Sequence, residues 1–194
     1  MENSPEDTRD KILNATASLM QKRGFKAVTT KAIAREAKVN ETTLFRHFGS
    51  KKGIVEALVD QYSYLSTFEG VLNHVVWDLE KDLFTLSKAY QNFMLKNGDI
   101  VMIGLKEAGV IPELDEKAAS IPRDFKQGLM RYFQLMREKE LLRETELEAQ
   151  AMSFIWLNLG FFVSRSVYGD RITKLDTDAF LLHSVSTFAR GLKP

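Results

Sequence analysis

The chain has 194 residues, of which 44% are hydrophobic and 27% charged, and this composition excludes a disordered chain. Its formal net charge is +1, and it contains no cysteine, which excludes disulfides, thiol catalysis and cysteine-ligated metal. The three histidines, His47, His74 and His183, lie too far apart in sequence for a zinc site, so we expect neither a metal nor a cofactor.

No apolar stretch reaches the roughly 18 residues that a membrane span needs. Residues 1–7 contain no basic segment followed by an apolar one, so the pattern of a secretory signal is missing. The sequence therefore predicts a cytoplasmic protein without a membrane partner.

Apolar residues recur at helical spacing from the first segment onward. The first predicted helix is capped by Ser4 and ends at Gly24, because a glycine easily adopts the left-handed conformation that follows a helix. Thr29 or Thr30 caps a short second helix. These signals predict two helices before the turn formed by Lys38, Val39 and Asn40.

A third helix is predicted over residues 41–48, with Asn40 as its cap. Gly49 breaks it, and Ser50 caps a fourth helix that begins at Lys51. The second and third helices are thus joined by a short turn, which is the spacing of a helix-turn-helix.

A stripe of apolar residues predicts a fifth helix that Gly98 ends, and Asp99 is expected to cap the sixth. Gly109 and Pro112 close the sixth helix, and Pro122 leaves two alternatives for the seventh, which it either opens or kinks. The stripe of the fifth helix consists of Leu79, Leu83, Leu86, Tyr90 and Phe93.

The last two helices carry clear capping signals. Thr145 and Glu148 have capping-box spacing for an eighth helix that ends near Gly169, and Asp176 caps a ninth. We therefore predict an all-α protein of about nine helices.

Basic residues are concentrated near the amino end. Between Lys22 and Lys52 the chain holds nine basic residues and only two acidic ones, Glu36 and Glu41. Such a concentration favours a polyanion-binding surface, although a simply solvated basic face remains the alternative.

The third helix has the dimensions and the residues to read DNA. Eight helical residues span about 12 Å, which matches the width of the major groove. Leu44 and Phe48 are predicted to face inward with Val39. The outer faces then carry hydroxyl, guanidinium, imidazole and aromatic groups for base edges and phosphates: Thr42, Thr43, Phe45, Arg46 and His47.

Cations at the start of two helices are further candidates for phosphate contact. Thr30 and Lys31 begin the second helix, and Lys51 and Lys52 begin the fourth. Because the positive end of the helix dipole disfavours lysine there, an incoming phosphate would stabilise the pair at the fourth helix. The alternative is that exposed lysines tolerate this position.

The run from Val28 to Lys51, VTTKAIAREAKVNETTLFRHFGSK, resembles the helix-turn-helix signature of the tetracycline-repressor (TetR/AcrR) family. The resemblance covers roughly residues 8–58. It is also carried upstream by Ile12, Leu13, Ala15, Leu19, Gly24 and Phe25.

The resemblance implies a role for each matching position. Thr30 and Lys31 would anchor a phosphate. Thr43 would contact the groove beside Thr42. Further phosphate or backbone contacts would come from His47 and Lys51.

Two positions depart from the family pattern. Phe45 stands where tyrosine is usual, so the phosphate hydrogen bond of a phenol is lost and only packing remains. Lys38 stands where glycine is usual, at a turn position expected to have positive φ, which costs a non-glycine residue roughly 1–2 kcal/mol.

The resemblance divides the chain into a helix-turn-helix domain, residues 1–51, and a helical effector-binding and dimerisation domain, residues 52–194. The second part contains no catalytic constellation, so we expect no enzyme activity. Its eighth helix is apolar nearly all round, which favours a two-fold helical interface over the alternative of a central core helix. The interface candidates are Gly160, Phe161, Ser164, Phe180, Ser184, Val185 and Phe188.

Soft apolar and aromatic residues in the second part suggest a pocket for a small apolar effector. Asn158 interrupts an apolar run, and a buried amide needs partners, so it is either satisfied across the dimer or directed at a ligand. The pocket candidates are Trp77, Gln91, Met94, Tyr132, Phe133, Trp156 and Asn158.

The sequence thus predicts a homodimeric, sequence-specific transcription regulator that binds an inverted repeat in double-stranded DNA. It is expected to be a repressor released by an unidentified small molecule. Two alternatives remain: a helical small-molecule-binding protein or enzyme without a DNA role, and a DNA-binding dimer without a ligand.

Overall fold

A computed structural model of the chain describes residues 5–60, 70–110 and 112–194. These residues form helices joined by short turns and contain no β-strand, as the sequence predicts. Within the same ranges, no helix is both long enough and apolar enough to cross a membrane. The predicted cap at Ser4 lies outside the described residues.

Nine α-helices have their bounds within the described part of the chain, in agreement with the predicted number. They are α1 Pro5–Arg23, α2 Thr30–Glu36, α3 Glu41–Phe48, α4 Lys51–Asp60, α5 Leu79–Lys96, α6 Gly98–Lys106, α7 Pro112–Glu138, α8 Leu147–Tyr168 and α9 Thr177–Arg190. A short 3-10 helix, Gly169–Arg171, follows α8.

Packing divides the chain into two compact units. The first unit comprises the described residues of Met1–Tyr62 and Asn97–Ala119, and the second those of Ser63–Lys96 and Ser120–Pro194. Helix α6 therefore packs with α1 rather than with its neighbour in sequence, which no pattern indicates. The functional boundary after residue 51 stays a prediction.

The core of the first unit joins four amino-terminal helices to α6. Burying one such aliphatic side chain contributes about 1.5–3 kcal/mol to stability. The fully buried positions include Ile12, Leu13, Ile33, Leu44, Ile54 and Leu58, and Ile100 and Ile103 of α6 belong to the same cluster.

The core of the second unit is rich in aromatic rings. Tyr90 of α5 stacks on Phe125 of α7 at a centroid distance of 5.3 Å, and Phe125 meets Phe154 of α8 at 6.5 Å. Burial raises the pKa of the Tyr90 phenol. The stripe predicted for α5 is buried, which confirms it: Leu79, Leu83, Leu86, Tyr90 and Phe93.

Several predicted caps are confirmed by hydrogen bonds. The Thr29 hydroxyl accepts from the Ala32 amide at 3.1 Å, which settles the alternative between Thr29 and Thr30. Ser50 and Asp176 likewise accept backbone amides of the helices that they precede. Asn40 occupies the cap position of α3, but its side chain makes no capping hydrogen bond.

Three predicted boundaries are wrong. Asn97, not Asp99, occupies the cap position of α6, and Gly98 is the first helical residue and does not end α5. The Asp99 carboxylate instead accepts from the Gln21 side chain of α1 at 2.6 Å. Pro112 begins α7 and does not close α6, which ends at Lys106. Pro122 lies inside α7, which rules out the alternative that it opens this helix.

The start of α8 is shifted by one residue. Its cap is Glu146, whose carboxylate accepts from the Ala149 amide at 2.6 Å. The Thr145 hydroxyl accepts from the Gln150 side chain instead, so the capping box predicted for Thr145 is not formed.

Candidate functional site

The turn between α2 and α3 has the predicted left-handed residue. Lys38 has φ of 56°, and the Val39 amide beyond it donates to the Ala34 carbonyl at 2.9 Å. A non-glycine residue in this conformation costs roughly 1–2 kcal/mol, which the surrounding core offsets. The turn places α3 against α2 while keeping its other side on the surface.

Helix α3 has the predicted inner and outer faces. Leu44 is fully buried, and Val39 and Phe48 pack against the same core. On the outer side the Phe45 ring is 45% exposed, and Thr42 and Arg46 are exposed as well. Thr43 and His47 are half-buried. These five outer residues form what we term the α3 face.

The start of α2 is connected to α3 by a side-chain hydrogen bond. The Thr30 hydroxyl donates to the Glu41 carboxylate, so its proton is engaged inside the protein. Lys31 is exposed beside it. Of this pair, the lysine ammonium is the group directly available to an anion.

Lys51 has partners within its own unit. Its ammonium donates to the Phe25 carbonyl and lies 3.8 Å from the centroid of the Phe25 ring. Burial lowers the pKa of this ammonium, and the negative charge of Glu107 opposes that shift. The ammonium is therefore held at the loop after α1, and its expected contact with phosphate stays a prediction.

The third member of this cluster, Glu107, has no signal in the sequence. Its side chain is 7% exposed, and its carboxylate accepts from the Phe25 amide at 2.8 Å. A Cβ atom on Gly24, which has φ of 75°, would lie 2.9 Å from the same carboxylate oxygen. We term Phe25, Lys51 and Glu107 the Phe25 clasp; it ties the end of α6 to the loop after α1 and the start of α4.

Among the pocket candidates, Gln91 and Asn158 lie together and are both buried. The Gln91 amide donates to the backbone and side-chain oxygens of Asn158 at 2.9 and 3.3 Å, and the Asn158 amide donates to the Phe154 carbonyl. The hydrogen bonds of the Asn158 side chain are thus made within its own chain. This corrects the expectation that Asn158 is paired across the dimer or directed at a ligand.

Three other pocket candidates form a second group. The Trp77 and Tyr132 rings are nearly parallel, with centroids 6.5 Å apart, and the Tyr132 ring lies 5.8 Å from that of Phe133. Met94 is buried in the core of the same unit. Trp156 is 62% exposed, so the single chain gives it no place in an interior pocket.

The interface candidates lie on α8 and α9 and differ in accessibility. The Phe161 and Phe180 rings stack at 3.9 Å between centroids, and Gly160 is exposed beside them. Val185 is fully buried within the chain, which leaves none of its side chain for a partner. The remaining candidates are half-buried: Ser164, Ser184 and Phe188.

Comparison with known proteins supports the interpretation of the amino-terminal segment. The family model for bacterial regulatory proteins of the tetR family matches residues 12–58. The HTH-type transcriptional regulator YvkB of Bacillus subtilis is 32% identical over 185 residues, which cover 95% of this chain and 97% of YvkB.

Solved structures share the fold over nearly the whole chain. NalD, the secondary repressor of the MexAB-OprM multidrug efflux pump in Pseudomonas aeruginosa, has a TM-score of 0.77 at 22% identity, covering 98% of each chain. The TetR family regulator PfmR from Thermus thermophilus has a TM-score of 0.74 at 19% identity, covering 94% of this chain and 99% of PfmR.

These relatives are transcription regulators. The match of the helix-turn-helix segment and the full-length relationship to YvkB carry the assignment. The chain belongs to the TetR family of DNA-binding transcription regulators.

Proposed function

We propose that the protein is a cytoplasmic homodimeric repressor that binds an inverted-repeat operator and is released by a small apolar effector. The observation that carries the proposal is the α3 face, where hydroxyl, guanidinium, imidazole and aromatic groups stand exposed or half-exposed on a helix of eight residues. A helix of this length fits the major groove when its neighbour braces it.

Within this proposal some residues of the α3 face contact DNA bases and others contact the DNA backbone. Thr43 and Arg46 read base edges, with Thr42 beside them. Phe45 packs on a sugar or a thymine methyl group. His47 contacts the backbone, and Lys31 supplies a phosphate contact at the start of α2.

Lys51 and Thr30 take a secondary part in the proposal. The Phe25 clasp holds the Lys51 ammonium, and Glu41 holds the Thr30 hydroxyl. A phosphate contact by either group therefore requires it to exchange a protein partner for the phosphate oxygen. Their contribution to DNA affinity is accordingly smaller than that of Lys31.

Dimerisation supplies the second half of an inverted repeat. Apolar side chains on α8 and α9 support it, since Trp156 and Leu182 are 62% and 58% exposed. Large exposed apolar residues on neighbouring helices are typical of a protein interface. The Phe161–Phe180 stack and the exposed Gly160 support the same surface.

Release by an effector follows from linkage between the two binding events. A molecule that binds better to a dimer whose two α3 helices are wrongly spaced shifts the population to that form and lowers DNA affinity. The helix-turn-helix domain, residues 1–51, and the effector domain, residues 52–194, are the two partners in this coupling.

The test is selection of bound sequences from random duplexes, followed by binding titrations at several salt concentrations. An inverted repeat is expected, with affinity that falls as salt rises. Thr43→Ala should change the preference at one base position, whereas Lys31→Ala should weaken all sequences and reduce the salt slope by roughly one. Lys174→Ala, an exposed lysine in the second unit, serves as the control. Binding that ignores both sequence and salt contradicts the proposal.

A DNA-binding dimer without an effector is the second candidate. The hydrogen bonds from the Gln91 amide to Asn158 and from the Asn158 amide to the Phe154 carbonyl favour it, because they engage both predicted ligand groups inside the protein. Screening small molecules for release of the selected operator separates the two functions.

A further inference from the structure

A groove in the second unit combines aromatic, aliphatic and cationic groups. It has a volume of about 470 Å³, within the range of small-molecule sites. One wall comes from the segment before α5 and the other from α7. The lining residues are Leu72, Asn73, Val75, Trp77, Arg131, Tyr132 and Leu135.

Trp77 adopts an unfavourable backbone conformation at this groove. Its φ is 61°, a left-handed value that a bulky side chain rarely takes. Residues held in such conformations are concentrated at ligand clamps and active sites, because the surrounding structure must be arranged to hold them. The indole is 37% exposed, so part of the ring is open to a ligand.

A buried carboxylate fixes the two walls relative to each other. Asp82 accepts from the Val76 amide, next to Trp77, and from the Tyr132 hydroxyl, both at 2.8 Å. Asp82 is 4% exposed. Its Oδ1 accepts from the wall before α5, and its Oδ2 accepts from the α7 wall. Asp82 therefore fixes the Tyr132 ring and the backbone next to Trp77 before any ligand arrives.

Two cations border this groove, and the two carboxylates near Tyr132, those of Asp78 and Asp82, already hold partners within the protein. Arg131 lines the groove, is exposed, and has no hydrogen bond or ion pair with any residue that the structure describes. The Lys139 ammonium lies 4.4 Å from the centroid of the Trp77 ring, and within the described ranges it too lacks a carboxylate partner. No acidic side chain lines the groove. Among the lining residues, Arg131 is therefore the charged group that is open to an anion.

We propose that this groove binds a small aromatic carboxylic acid, and that this acid, which is apolar except for its carboxylate, is the effector; the second part rests on the proposed function. The planar ring lies against the Trp77–Tyr132 pair, and the carboxylate accepts hydrogen bonds from Arg131. A monoanion suits a lining that holds a single arginine among aliphatic walls. A planar apolar ring suits two fixed, nearly parallel aromatic side chains.

The binding test uses the full chain with 2-naphthoate as the probe and its neutral analogue, 2-naphthamide, as the control. Calorimetry should show tighter binding of the acid. Arg131→Gln should reduce the affinity for 2-naphthoate by about tenfold, the effect of losing a charged hydrogen bond at an open site, and should leave 2-naphthamide within about twofold. Arg143→Gln, an exposed arginine outside the groove, should behave as the wild type.

Fluorescence locates the probe independently of affinity. The chain has two tryptophans, so Trp156→Phe leaves Trp77 as the only one. Its emission should change on titration with the acid, and Trp77→Gly should weaken acid and amide alike, because the aromatic surface is lost while glycine accepts the backbone conformation. Unchanged Trp77 emission, equal affinity for acid and amide, or an equal loss in Arg143→Gln overturns the proposal.

Operator binding separates this inference from the proposed function. The acid should lower the affinity of the wild type for its selected operator but not that of Arg131→Gln. Arg131-dependent binding that leaves operator affinity unchanged overturns the effector role alone. If the protein binds no operator when the acid is absent, the proposed function is overturned instead. If the affinity for 2-naphthoate rises when the protein is diluted to monomers, a second copy covers the groove in the dimer. That result overturns the inference.

Discussion

Two polar regions of this chain are built in opposite ways. The α3 face comes from consecutive positions of one eight-residue helix, and its groups remain exposed or half-exposed. Gln91 and Asn158 lie 67 positions apart, are buried, and bond to each other. Polar groups on a short surface helix stay available to a partner, whereas buried ones must be satisfied inside the protein.

The largest expected effect tests the two sides of α3. Leu44→Ala should lower the free energy of unfolding by about 2–5 kcal/mol, because it leaves a cavity in the core of the first unit. Phe45→Ala, one residue away on the exposed side, should change stability by no more than about 0.5 kcal/mol yet weaken operator binding. Urea denaturation and DNA titration of both variants measure the contrast. Equal destabilisation by both would show that α3 has no outward side.

The buried amide pair should respond as a unit. Gln91→Met should cost about 1–3 kcal/mol, because it leaves the buried Asn158 side-chain oxygen without its donor, and Asn158→Leu should cost less, because Gln91 keeps the Asn158 backbone carbonyl as its acceptor. The double variant should cost less than the sum, since it also removes the side-chain oxygen that Gln91→Met leaves without a donor. A denaturation double-mutant cycle measures the coupling. Strict additivity would mean that the two amides act independently.

Short-range signals predicted the DNA-facing part of the molecule well. The burial of Leu44 and the caps at Thr29 and Ser50 each depend on neighbours within a few residues, and the family resemblance supplied the left-handed turn at Lys38. The positions of Glu107 and Asn158 depend on packing between distant segments, which no local spacing encodes. For the same reason the sequence predicted exposed Trp156 as a pocket residue.

The Phe25 clasp offers a test of such a long-range contact. Gly24→Ala introduces both a left-handed alanine and a Cβ atom 2.9 Å from the Glu107 carboxylate. Gly109→Ala is a matched control, because its φ is 80° but nothing lies within 4 Å of the added Cβ. Each should lose roughly 1–2 kcal/mol from the backbone conformation, and Gly24→Ala should lose more. Equal losses in thermal denaturation would show that the Glu107 carboxylate moves aside at no cost.

The smallest expected effect concerns the lysine of the clasp. Burial lowers the pKa of Lys51 from its ordinary 10.5, against the opposing charge of Glu107. Between the folded pKa and 10.5 the unfolded chain binds more protons than the folded one, so this group adds stability as the pH rises through that range. Lys51→Met removes the titration while keeping an unbranched side chain. The stability difference, wild type minus Lys51→Met, should therefore be flat near neutral pH and increase in the alkaline range, as measured by urea denaturation from pH 7 upward. A difference that decreases there would mean that the Phe25 carbonyl and the Glu107 charge together outweigh desolvation, and that the clasp binds the ammonium more strongly than water does.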